Sequence, residues 1–418
     1  MPIAVPSGLP ARKALLAEGH EVLDSEALRS WGRRPLRVCL VNLMPNKPAT
    51  ELQIGRLLAG TPIPVELILS LPDGYQPKST PADHLAFYMP WAAARSAAID
   101  ALIVTGAPVE ELPFEEVTYW PGLCDIIDWA QNHPVSSLYI CWAAQAALYR
   151  SHGVPKRSLA RKLFGVYPQQ VALPTSPLLT GFSDVFPAPV SRHAEVREAD
   201  LPLHVGLSVL AASPESGLCL LQDSPNRALY MFNHLEYDGG TLGVEFLRDR
   251  QAGAQIDMPC NYFPGDDPQK QPVNVWRPFG QLLVANWLSE IVRRAHPRIS
   301  DEPVVQWTLA ASRPSELASH ADLLVQADAN GPDLLPDLLR KLGGLGLVPS
   351  AVKVHRGATP ELLIEIRIAK RPPLDIESIA RRLCSVPRVM KAAFRAENAA
   401  GICNSQHRSD LALTRPAA

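Results

Sequence analysis

The chain has 418 residues, 47% of them hydrophobic and 20% charged, enough for two or three domains with a sizeable buried core. Its 40 Lys and Arg against 42 Asp and Glu leave a net charge of −2, which excludes a nucleic-acid partner held by charge. The opening MPIAVPSGLPARK lacks the basic-then-apolar order of a signal peptide, and no apolar run approaches the ~20 residues of a membrane helix, so a cytoplasmic protein with no membrane partner is expected.

The seven cysteines are scattered and never paired as CxxC, which fits reduced thiols and gives no metal signature. After a Pro-rich arm, residues 36–43 (LRVCLVNL) read as a first strand and 50–58 have helical spacing. Residues 64–69 and 101–105 read as further strands, separated by a loop over 71–88 too long to be filler. A helix over 117–129 then leads to a strand at 135–140. Strands alternating with helices imply right-handed crossovers and a mostly parallel sheet, whose sites form beyond the strands' carboxyl ends. Residues 164–233 hold short apolar runs broken by Pro, Gly and Ser, and 241–250 and 280–294 read as helices.

Past residue 296 the character changes. A linker over 297–320 precedes the order strand (323–327), helix (333–342), strand (351–355), strand (361–368), helix (376–384), strand (388–395). This is the ferredoxin-like, ACT-like pattern, an α+β module spanning 321–397, with 398–418 expected to be a disordered tail.

The chemistry concentrates at Cys141. The run SSLYICWAAQAAL turns there from strand to helix, which holds a thiol clear of the sheet and near helix N–H groups that favour a thiolate. The backbone N–H of Trp142 is a candidate oxyanion donor. His234 follows another apolar strand and Glu236 lies two residues on. If the chain is extended there, both side chains leave on one side; if it turns, the carboxylate curls towards the imidazole. Cys, His and Glu supply what nucleophilic acyl transfer requires: an attacking thiolate, a proton shuttle and a group that fixes the shuttle's tautomer.

Nucleophile followed about 90 residues later by His-x-Glu is the layout of class I glutamine amidotransferases, so a flavodoxin-like α/β catalytic domain is expected over 1–296. The stretches VNLMPNK, LIVTGAPVE, ICWAAQAAL, KLFGV, SRHAE, HLEYDGGTLGVEFLRD and NYFPGDDPQ go further. Through them the chain resembles the homoserine O-acyltransferases of methionine biosynthesis, of the amidotransferase-like kind. The resemblance implies an acyl-thioester at Cys141, a proton acceptor at His234 with Glu236 its partner, and substrate binding by Lys162, Ser191 and Arg248. It also implies a homodimer acting on L-homoserine and acyl-CoA, with acetyl-CoA as co-substrate and no cofactor. On residue type alone Lys162 and Arg248 read as solvated helix charges, and Lys47 is a weaker candidate near the thioester. Glu110 is the position that sets donor choice in that family, glutamate accompanying acetyl and glycine succinyl; the bland alternative is a side chain lost in the acidic run around it.

Where the family reads Gly-His-Pro-Glu this chain reads Asn233-His234-Leu235-Glu236. That changes the backbone preferences beside the base and leaves serine open as an acceptor, one methylene shorter than homoserine. The other readings are homoserine O-succinyl transfer, a glutamine amidotransferase or cysteine hydrolase on the same scaffold, and a non-catalytic protein whose C-terminal module senses an amino acid.

Overall fold

In the computed structural model the described residues are 2–29, 34–203 and 205–295, and beyond these 307–308, 320–328, 338–339, 342, 349–356, 361–369, 389–395 and 411–414. They fall into two compact units, Met1–Ala295 and His296–Ala418.

The first unit is organised by β1 (Ile3–Ala4), β2 (Val22–Leu23), β3 (Leu36–Val41), β4 (Val65–Leu71), β5 (Met89–Pro90), β6 (Ala101–Val104), β7 (Ser136–Ile140), β8 (Arg157–Val171), β9 (Val185–Glu195), β10 (Leu207–Ser213), β11 (Gly217–Asp223) and β12 (Ala228–Met231). They form one sheet in the order β2-β1-β4-β3-β6-β7-β12-β11-β10-β8-β9, with β5 on β4. The neighbours β4-β3-β6-β7-β12 are parallel throughout. Counted along the chain they run 2-1-3-4-5, the flavodoxin-like doubly wound order. From β12 onward the pairing is antiparallel.

Both faces of the parallel part are covered, as near-continuous apolar strands demand. Val38, Leu40, Ile103 and Leu138 point into one core, with the helices Pro10–Ala17, Lys47–Ala59 and Arg277–Ala295. Their neighbours Cys39, Val41, Leu102, Val104 and Tyr139 point into the other, with Trp120–Asn132 and Trp142–His152. Each strand therefore feeds two cores at period two, and its side chains cannot slip by one residue without exchanging them.

The antiparallel part is where the structure departs from the sequence expectation. Residues 157–195 are one long hairpin of β8 and β9, with Pro168 opposite Pro187. The Pro-rich arm also contributes more than a lead-in: Ile3–Ala4 pairs in parallel with both β2 and β4.

In the second unit β13 (Trp307–Thr308), β14 (His320–Asp328), β15 (Pro349–Arg356), β16 (Glu361–Ala369), β17 (Val389–Arg395) and β18 (Leu411–Thr414) form a sheet in the order β13-β15-β16-β14-β17-β18. The four expected strands thus lie as 2-3-1-4, all antiparallel, as a split βαβ arrangement requires. Of the expected helix over 333–342 the described residues 338, 339 and 342 are helical, and the one over 376–384 lies outside the described residues. Leu411–Thr414, inside the tail expected to be disordered, instead pairs with Lys391–Phe394; its Leu-Ala-Leu run extends the sheet at the edge strand β17.

Candidate active site

Cys141 stands between β7 and the helix Trp142–His152 with φ 51° and ψ −115°, a conformation that costs a non-glycine residue about 1–3 kcal/mol. Packing on both sides holds it there. Its N–H donates to the carbonyl of Met231 on β12 at 2.7 Å, and its carbonyl accepts from Ala144 and Gln145. Gly106 presses from the β6 side: a Cβ there would lie 3.3 Å from the Cys141 Cβ and 3.8 Å from the Trp142 nitrogen. A side chain there would crowd the Cys141 Cβ, so glycine suits this close approach of the β6 loop. Trp142 is the first helical residue, so its N–H has no partner within the helix and is free to receive an oxyanion.

The base comes from the end of β12. The His234 N–H donates to the Pro189 carbonyl at 2.8 Å, and the chain turns at once, Tyr237 N–H donating back to the His234 carbonyl. The turn, not the extended alternative, brings Glu236 Oε1 to 2.6 Å from His234 Nδ1. Tyr237 stacks on the imidazole with centroids 4.1 Å apart. Nδ1–H donates to the carboxylate, which assigns the tautomer and leaves Nε2 for the sulfur. His234 and Cys141 face the same cavity, and each shifts the other's protonation through its charge. Burial pushes the imidazole down, but the charges of Glu236 and the Cys141 sulfur outweigh it and hold His234 well above its ordinary value. Burial pushes the Cys141 thiol up, and His234 opposes that shift.

These groups open into a cavity of about 980 Å³ at the carboxyl ends of the parallel strands, lined by Met44 and Pro45 after β3, the 106–112 loop after β6, Cys141 after β7 and His234 after β12. Glu110, Lys162, Ser191 and Arg248 also line it. Glu110 is not lost in the acidic run: its Oε1 lies 3.8 Å from Cys141 Sγ, and its other oxygen accepts from the His193 N–H. Burial raises its carboxyl, against the His193 hydrogen bond. Lys156 fixes the loop by donating to the carbonyls of Glu110 and Leu112.

Lys162 is not a solvated helix charge. It sits on β8, its side chain 9% exposed, with Nζ 2.9 Å from Asp249 and 3.7 Å from Glu245. Arg248 does lie on a helix, Thr241–Gln251, with its guanidinium on Asp249. Lys47 lies outside the cavity lining. Fully buried, it donates from Nζ to the carbonyls of Asn42 and Met44, and burial lowers it to about 8. Its contact with the site runs through the Met44–Pro45 wall.

Two residues went unread in the sequence. Glu245 accepts from Ser191 Oγ at 2.6 Å and from Tyr237 Oη at 2.8 Å, so it ties a cavity hydroxyl to the ring stacked on His234. The available signal was helical spacing: Glu245, Arg248 and Asp249 at i, i+3 and i+4 share one face. Arg192 is 2% exposed, with Nη1 donating to Asn233 Oδ1 at 2.8 Å and to the Phe232 carbonyl, and Nη2 to the Ser216 carbonyl. Asn233 therefore fits where the family pattern has glycine, because its side chain accepts from Arg192. Ser191, Arg192 and His193 on β9 thus grip Glu245, the approach to His234, and Glu110. Arg192→Met should lower unfolding stability by about 2 kcal/mol or more, since it strands buried acceptors. Guanidinium denaturation checks this, with partial recovery expected in Arg192→Lys.

Among the described residues no group of three or more His, Cys, Asp or Glu is placed to hold a metal, and no helix is long and apolar enough to cross a membrane.

A strained thiol at the carboxyl edge of a parallel sheet, sharing a cavity with an imidazole that a carboxylate orients, is the constellation of enzymes that transfer acyl groups through a cysteine. Residues 2–298 match the family model described as homoserine O-succinyltransferase. The chain is 52% identical over 294 residues to a homoserine O-acetyltransferase of Rhizorhabdus wittichii, covering 70% of this chain and 92% of that one. It is 50% identical over 293 residues to a homoserine O-acetyltransferase of Brucella canis, covering 70% and 95%. Among solved structures it is similar to a glutamine amidotransferase of Thermotoga maritima, with 13% identity, 62% of this chain and 99% of that one, and a TM-score of 0.42. The chain belongs to the homoserine O-succinyltransferase family.

Proposed function

We propose that this chain acetylates the hydroxyl of L-homoserine with acetyl-CoA, by a two-stage exchange through a thioester on Cys141. The observation that carries the reading is that Cys141 and the hydrogen-bonded His234–Glu236 pair open into one cavity, with Glu110 beside the sulfur and Lys162, Glu245, Arg248 and Asp249 along its wall.

In the first stage the Cys141 sulfur attacks the carbonyl carbon of the donor, its proton passing to His234 Nε2. The carbonyl electrons move onto oxygen, which takes the Trp142 N–H. As the C–O double bond re-forms, the C–S bond to CoA breaks and the leaving sulfur recovers the proton from His234. In the second stage His234 removes the homoserine hydroxyl proton as that oxygen attacks the acyl-cysteine, and the Cys141 sulfur leaves as the O-acyl ester forms, taking that proton back from His234. Glu236 accepts from Nδ1–H throughout and so holds the imidazole in that tautomer.

The acceptor's head group has partners of both signs. Lys162 and Arg248 suit its carboxylate, and Glu245 and Asp249 its ammonium, all within the same cavity wall. The donor end carries Glu110, which favours the uncharged acetyl group over a succinyl carboxylate.

Incubation with acetyl-CoA and L-homoserine, followed as free thiol and by mass spectrometry of the ester, tests the reading. O-acetylhomoserine and CoA should appear in equal amounts. Ammonia from glutamine without ester formation would replace this reading with the amidotransferase one.

A further inference from the structure

The outer rim of the cavity carries a cation that the chemistry at Cys141 does not use. In the β8–β9 hairpin the register jumps between Ser158, opposite Ala194, and Leu163, opposite Arg192. Leu159, Ala160, Arg161 and Lys162 therefore face a single β9 residue, His193, and all four line the cavity. Such a bulge re-aims side chains, and here it sends two cations different ways. Lys162 turns in to Asp249. Arg161 stands 84% exposed, and the carboxylate beside it, Asp257, is 3.7 Å away and itself 76% exposed. Asp257 belongs to the 254–257 segment, which also lines the cavity.

A CoA thioester carries its reacting carbonyl at one end of the pantetheine arm and its phosphates at the other. With the carbonyl at Cys141 Sγ, an arm laid along the cavity would bring the phosphates out towards the rim, where the lining of Arg161 and Asp257 is solvent-exposed. The acidic groups there, Asp257 and Glu111, repel them. Of the Lys and Arg side chains lining the cavity, Lys162 and Arg248 are held by Asp249 at 2.9 and 2.6 Å. Among the described residues that line it, Arg161 is the cation whose carboxylate lies beyond hydrogen-bonding distance. Its guanidinium can meet a phosphate with two parallel N–H bonds, which a loose contact with Asp257 does not prevent.

We propose that Arg161 anchors the phosphates of the CoA donor at the cavity mouth, with Asp257 the carboxylate that competes for it. This rests on the CoA-dependent transfer set out above. Two acetyl donors separate the effects: acetyl-CoA, and the acetyl thioester of N-acetylcysteamine, which has the same reacting bond and no phosphate. In Arg161→Gln, KM for acetyl-CoA should rise about fivefold, the size of one solvated ion pair, at unchanged kcat. KM for the phosphate-free thioester should not move. Asp257→Asn should lower KM for acetyl-CoA alone. Added salt should weaken acetyl-CoA binding more in wild type than in Arg161→Gln. Equal changes for both donors, or an unchanged KM for acetyl-CoA, would overturn the anchor and leave the reaction standing. Failure of wild type to take an acetyl group from either donor would overturn both.

Discussion

Cys141→Ala should take up no acetyl group from acetyl-CoA, whereas wild type incubated without acceptor should gain one, seen as a single added acetyl mass. Turnover should fall by about 10⁴-fold or more, the scale seen when a covalent nucleophile is removed from a triad. The expectation rests on the enforced backbone at Cys141, a strain that no packing need of a buried cysteine explains. His234→Ala should lose on the order of 10²–10⁴-fold, the usual share of a general base. Glu236→Gln keeps an acceptor for Nδ1–H and should be the mildest of the three. Its signature lies in thiol reactivity. The carboxylate favours the protonated imidazole, so removing its charge lowers the His234 pKa and depopulates the thiolate–imidazolium pair. Alkylation of Cys141 by iodoacetamide at neutral pH should slow in Glu236→Gln. A Cys141→Ala variant that still becomes acetylated would remove the thiol from the mechanism.

What made the nucleophile legible was local. A five-residue buried strand, a cysteine and an alanine-rich helix are adjacent in sequence, and the turn between them allows few geometries. The same holds for β3, β6 and β7, whose side chains are mostly buried on both faces and so read as near-continuous apolar runs, broken by Arg37, Ser136 and Ser137. The β8–β9 hairpin was illegible for the opposite reason. Pro168, Pro187 and Pro189 argue against strand; Pro187 and Pro189 are tolerated because β9 is the sheet's edge and needs no second partner for its N–H groups, and Pro168 lies on β8 outside its short pairing with β10 at Gln170 and Val171. That hairpin supplies Lys162, Ser191 and Arg192, so the placement of Lys162 and Ser191 in the cavity could not be read from the residues without the resemblance, and Arg192 was not read at all. Arg192 shows the limit most plainly. It lies 41 residues from Asn233, and the departure at Asn233 looked disruptive only because its acceptor role could not be read.

Glu110→Gly should convert an acetyl-preferring enzyme into one that accepts succinyl-CoA. The Glu110 carboxylate lies 3.8 Å from the Cys141 sulfur, inside the cavity that receives the acyl group. A succinyl group bound there brings its own terminal carboxylate to within about 5 Å of Glu110. At an effective dielectric near 20 the repulsion is ~3 kcal/mol, about a hundredfold in relative rate. Burial raises the Glu110 carboxyl, which works against this discrimination, while the His193 N–H favours the anion. The sign with pH follows. As pH falls through the raised pKa the carboxylate is lost, and the bias against succinyl-CoA should shrink while acetyl transfer keeps its own pH profile. Glycine removes charge and bulk together, so Glu110→Gln separates them: relief of repulsion without added room. The measurement is kcat/KM for both donors at two pH values in all three proteins. Wild type should favour acetyl-CoA, glutamine should narrow the ratio, and glycine should narrow it further or reverse it. A wild-type preference for succinyl-CoA would reverse the donor assignment without touching the thioester at Cys141. A glutamine variant as selective as wild type would make Glu110 a steric gate and leave its charge without a part in donor choice.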